Sequence, residues 1–62
     1  MKIAELYKMT AGEKRANPGK SYTIQINAII DGKREHGYRA YVADKKEARS
    51  VAATFNAQPW NF

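Results

Sequence analysis

Three cations crowd the segment Asp44-Lys45-Lys46-Glu47-Ala48-Arg49, and they carry the clearest chemical signal in the chain. Asp44 with Glu47 three residues on has the spacing of a capping box, so the segment predicts the opening of a helix. Lys45, Lys46 and Arg49 then fall in its first two turns, where the helix dipole is positive and each cation costs about 0.3–1 kcal/mol. Lys45 and Arg49 are also a like-charge pair at i,i+4. A sequence that keeps cations there has an anion to meet, and the free N–H groups of a helix start already suit phosphate. The alternative is a solvated helix face compensated by Asp44 and Glu47.

Two further groups could join that grip. Lys14, Arg15 and Lys20 sit in the long segment Thr10–Lys20, where a charged loop could follow a phosphate backbone. Thr23, Gln25 and Asn27 share one side of an alternating stretch, with Arg39 and Tyr41 expected beside them on the next strand. Gln and Asn pair bidentately with adenine, and Arg with guanine, when a sheet enters a major groove. A wet sheet face is the equally open alternative. Residues 1–20 hold five cations and two anions, 21–44 three of each, and 45–62 three cations and one anion, so the net +5 is unevenly spread.

Catalytic constellations are missing. His36 is the one histidine and there is no cysteine, which removes multi-His and Cys–His metal sites. A Ser–His–Asp arrangement would need Ser21 or Ser50 with His36, and no spacing supports it. Gly12, Gly19, Gly32 and Gly37 are scattered and form no phosphate loop. The expectation is a binding protein with no enzymatic activity, no metal, no cofactor and no small-molecule substrate.

The elements that must position these residues are few. Sixty-two residues support one small core, since a chain this short buries only roughly 60% of its unfolded surface. No apolar run approaches the roughly 18 residues of a membrane span, and no signal peptide opens the chain, so a cytoplasmic protein is expected. Tyr22-Thr-Ile-Gln-Ile-Asn-Ala-Ile-Ile30 alternates, placing Tyr22, Ile24, Ile26, Ala28 and Ile30 on one face. Asp31-Gly32 suits a two-residue type I′ hairpin turn. Ala48, Val51, Ala52 and Phe55 form an apolar helical stripe.

Strands are expected near 3–9, 21–30 and 34–42, with a helix near 45–57 and Thr10–Lys20 a turn region marked by Asn17-Pro18-Gly19. The fold class is α+β, a three-stranded antiparallel β-β-β-α meander with the helix packed on one face, forming one domain over 1–57. The expected core holds Leu6 or Tyr7, Ile24, Ile26, Tyr38, Val51, Ala52 and Phe55. The tail 58–62 is apolar enough that Trp60 and Phe62 are expected to fold back on that core.

Two families share features of this pattern. Gly32-Lys33-Arg34, the aromatic Tyr41 and Asp44-Lys-Lys-Glu-Ala48 resemble the "GKR…F…TKKEA" run of the N-terminal arm-binding domains of tyrosine recombinases (phage-type integrases), which are β-β-β-α. Asp44 stands where Thr is usual, and Tyr22 where Trp is. That resemblance implies a sheet face in the DNA major groove, with Gln25, Asn27 and Arg39 on bases and Lys45, Lys46 and Arg49 on phosphates. Lys45-Lys46-Glu47-Ala48-Arg49-x-x-Ala52-Ala53 is also similar to the KKxAKxxAA opening of the last helix of double-stranded RNA-binding domains. Both imply a duplex partner. The expected function is duplex nucleic-acid binding, DNA ahead of structured RNA. A small phage-type inhibitor or adaptor that docks on an acidic protein surface is the rival.

Overall fold

A computed structural model describes residues 1–62. Its elements run β1 (Lys2–Lys8), α1 (Ala11–Ala16), β2 (Tyr22–Ile30), β3 (Lys33–Val42), α2 (Lys45–Thr54) and β4 (Gln58–Pro59). The sheet order is β3-β2-β1-β4. β1, β2 and β3 form the expected antiparallel meander, while β4 pairs parallel to β1 through Ile3–Gln58 and Ala4–Pro59. The fold is α+β, but the sheet is mixed and four-stranded, and there are two helices where one was expected. No helix is long and apolar enough to cross a membrane.

The alternation in β2 does what its period dictates. Ile24 and Ile26 are buried beneath α2 with Ala4, Leu6, Val42, Ala48, Ala52 and Ala57, and Val51, Phe55 and Phe62 pack around them. Leu6 takes the core position and Tyr7 faces outward. Tyr38 lies at the core margin, 42% exposed, with its ring against Phe55 at a centroid distance of 4.6 Å. Asp31 (φ 52°) and Gly32 (φ 74°) supply the two positive φ values of a type I′ turn. Gly37 is a bulge residue. The β2–β3 register slips there, and a Cβ on Gly37 would stand 3.1 Å from the Ile26 carbonyl oxygen.

Three expectations need correction. Thr10–Lys20 is not all turn. The Thr10 side chain accepts from the Glu13 N–H while the Glu13 carboxylate accepts from the Thr10 N–H, and this capping box starts α1. α2 ends at Thr54, not 57. Asn56 enters the left-handed region (φ 54°), and the Asn56 and Ala57 N–H groups bond the Ala53 and Ala52 carbonyls, which is a Schellman stop. The tail folds back as expected, but through its backbone and Asn61. Phe62 packs on the core, whereas Trp60 is 71% exposed.

Candidate nucleic-acid interface

The ends of β1 and β3 and the start of β2 meet at one end of a molecule 37 Å long. α1 and α2 flank that end from opposite faces. α2 lies over the apolar face, its first turn fixed by Asp44, whose carboxylate accepts from the Glu47 N–H at 2.8 Å. Glu47 reaches back past Asp44 to accept from the Ala43 N–H at 3.0 Å, so the capping is displaced by one residue from the expected box. α1 buries none of its residues. It is tied to the polar face by Glu13, which accepts from Tyr41 Oη at 3.0 Å and from Arg39 at 3.2 Å.

Charge sorts along the long axis. Three cations are paired: Lys20 with Glu47, Arg34 with Glu5 and Arg39 with Glu13. At the end flanked by the helices Lys8, Lys14, Arg15, Lys45, Lys46 and Arg49 are all exposed and unpaired, opposed only by Asp44. Near the hairpin turn Lys2 and Lys33 are balanced by Asp31 and Glu35. The net side-chain charge of +5 therefore resides at one end.

The two basic clusters named from sequence, Lys14, Arg15 and Lys20 on one side and Lys45, Lys46 and Arg49 on the other, converge there. Lys20 links them, its ammonium 3.4 Å from Glu47 in the first turn of α2. That pair and Arg39–Glu13 are partly solvent-exposed, and pairs screened by water hold with about 1 kcal/mol or less.

The polar sheet face is less open than its composition suggested. Gln25 is half-buried and lies opposite Arg39 in register. Asn27 is 1% exposed and donates from Nδ2 to Glu5 at 3.1 Å, so it does not face solvent. Glu5 is itself buried, with the Arg34 guanidinium at 3.0 Å and the Tyr7 hydroxyl donating to it. That hydrogen bond raises the Tyr7 pKa. Thr23 Oγ1 and Asn27 Oδ1 are buried without a hydrogen-bond partner in the protein.

Two carboxyls that anchor the helices at this end are held in their charged form. Glu13 is lowered in pKa first by the Thr10 N–H, then by Tyr41 and Arg39. Glu47 is lowered by the Ala43 N–H and by Lys20. The bond to Glu13 raises Tyr41.

Sequence reasoning missed Lys8 and Glu13. Lys8 carried a positional signal, being the last residue of a strand that ends among the cations. Glu13 carried the Thr10-x-x-Glu13 capping pattern. Comparison with family models, curated proteins and solved structures finds no match to this chain. Its function is argued from geometry and charge.

Proposed function

We propose that the chain is a duplex nucleic-acid-binding module that grips phosphates with the end shared by α1 and α2. The observation that carries this reading is the segregation of the whole net charge to that end, on six unpaired side chains from three elements. Cations set on both sides of a sheet edge suit a polyanion with two backbones better than a single phosphate. DNA stands ahead of RNA because Gln25 and Arg39, side by side in register, can reach base edges only in a groove wide enough for a sheet. The major groove of B-form DNA admits one, and that of A-form RNA does not. Asn27, spoken for by Glu5, drops out of base contact.

The deciding experiment is anisotropy titration of matched DNA and RNA duplexes across salt. Binding that weakens steeply with salt, with DNA preferred, supports the proposal; no binding to either duplex at low salt overturns it. In that event the same cations serve an acidic protein surface, a reading favoured by the exposed aromatics Trp60 and Tyr7.

A further inference from the structure

Two aromatic rings stand open on the face of the sheet opposite α2. β1 and β4 pair in parallel through Ile3–Gln58 and Ala4–Pro59, and the same register continued sets Trp60 beside Glu5. Ala57 is buried in the core and Pro59 lies opposite the core residue Ala4, so strand alternation turns Trp60 to the polar face. Tyr7 stands on that face too, two residues beyond Glu5. Its hydroxyl donates to Glu5, which tilts the ring along β1. Trp60 is 71% exposed and Tyr7 49%. Adjacent strands lie about 4.8 Å apart and two residues advance about 6.6 Å, which sets the two Cα atoms about 8 Å apart. Neighbouring nucleotides of one strand can reach both rings.

We infer that Tyr7 and Trp60 form a stacking platform for unpaired nucleotides, with Lys8 and Arg34 beside the sugar-phosphate chain. Every base has a π-face, so an aromatic ring stacks on any of them. A duplex keeps those faces inside its own stack, and the platform therefore serves a single strand. Charge selects the same occupant. Lys8 follows Tyr7 and is exposed and unpaired, and Arg34 lies 3.0 Å from Glu5 with its side chain 52% exposed. Glu5, the acid between the rings, is buried and held by Arg34, Tyr7 and Asn27, so it presents little negative charge to a phosphate. An apolar peptide would meet Glu5, Arg34 and Lys8 around the rings, whereas a polyanion meets a chain of net charge +5. The platform lies on the β1–β4 side of the sheet, apart from Gln25 and Arg39 on β2 and β3. It adds a single-strand site to the duplex grip and does not depend on it.

Fluorescence titration of the full chain tests this, since Trp60 is the one tryptophan and a stacked base quenches it. Oligothymidylate and oligouridylate of about 12 nucleotides, within the site sizes of single-strand binders, are compared with an abasic strand of equal length and a blunt DNA duplex. At least one of the two oligonucleotides should quench Trp60 and bind more tightly than the abasic strand, and which of them does so tells DNA from RNA. Trp60→Ala, read by anisotropy of the labelled oligonucleotide, should weaken that binding about 5- to 150-fold, and Trp60→Phe should recover part of the loss. Tyr7→Ala should act in the same direction. Trp60→Ala should leave blunt-duplex binding and the thermal melt unchanged, because the ring is exposed. If Tyr7→Ala does not melt cooperatively, Trp60→Ala alone decides. The platform is overturned if neither oligonucleotide quenches Trp60, or if the abasic strand binds and quenches as well as they do. A folded Trp60→Ala variant with wild-type affinity overturns it equally. A blunt duplex that fails to bind while an oligonucleotide binds overturns the duplex grip and leaves the platform standing.

Discussion

The side-chain amide of Asn61 holds both backbone groups of Leu6: it accepts from the N–H and donates to the C=O, each at 2.8 Å. Together with the Trp60 N–H bond to the Ala4 carbonyl at 2.8 Å, this continues the parallel β4 pairing after Pro59, which cannot donate. An amide side chain stands in for a peptide group, and the β1 edge is closed for its buried length. Closed edges do not recruit other strands.

Asn61→Ala removes two hydrogen bonds at a largely buried backbone, each with a net value of about 0.5–1.5 kcal/mol. Stability in urea should fall by about 1–3 kcal/mol with little change in slope. Asn61→Asp keeps the acceptor but turns a second oxygen toward the Leu6 carbonyl, so it should not rescue the loss. An unchanged urea midpoint for both variants would show that the clamp is idle in solution.

Trp60 is held by its backbone while its ring faces solvent. The emission maximum of the native chain should therefore lie close to that of the unfolded chain, and acrylamide should quench it almost as well. Truncation after Ala57 should still destabilise, because it removes Phe62 from the core margin and Asn61 from Leu6. A strongly blue-shifted native spectrum would contradict the exposure of the ring.

How much of this was legible follows from the length of each signal. β2 and its hairpin were readable because the alternation from Tyr22 to Ala28 and the Asp31-Gly32 turn agree on one structure. The start of α2 was readable from Asp44 and Glu47, but its end was not. Asn56 stops it by adopting positive φ, and the signal was Asn56 itself directly after Phe55, a weaker mark than the glycine that usually holds this position. α1 has only six residues, too few for a periodic stripe, and its Thr10-x-x-Glu13 capping box went unread among the turn signals Gly12 and Asn17-Pro18-Gly19. β4 is two residues held from across the sheet, with no local pattern at all. Both basic clusters of the candidate site were visible as charge. The closing of the polar face was not, because burial of Asn27 depends on Glu5, 22 residues away.

Acid should weaken the fold through Glu13 and Glu47. Both titrate lower in the folded chain than in the unfolded one, where about 4.3 is usual for glutamate. Their contribution is fully present above that value and is lost as pH falls through the lowered folded pKa values. Melting temperature should drop as pH falls below about 5, and Glu13→Gln or Glu47→Gln should each flatten that drop. Glu13→Gln should also speed hydrogen exchange within α1, which has no buried residue to hold it. An acid limb identical to the wild type in both variants would place the titrating groups elsewhere.

Phosphate grip and base contact separate by mutation. The candidate interface offers Lys8, Lys14, Arg15, Lys45, Lys46 and Arg49 unpaired, and four or five simultaneous phosphate contacts would give a slope of log K against log salt of about −3.6 to −4.5. Lys46→Ala should weaken every duplex by a similar factor and reduce that slope by about one, since a phosphate carries no sequence. Lys14→Ala should do the same from the other side of the sheet. If only one of the two changes the slope, a single helix binds and the two-sided grip is wrong. Gln25→Ala leaves all six cations in place, so the slope should hold while a preferred DNA site loses about 1–3 kcal/mol. Arg39→Ala serves less well, because it also removes one of the two bonds by which Glu13 ties α1 to the sheet. Loss of affinity for all sequences alike in Gln25→Ala would remove base contact from the sheet face and leave a phosphate-binding module.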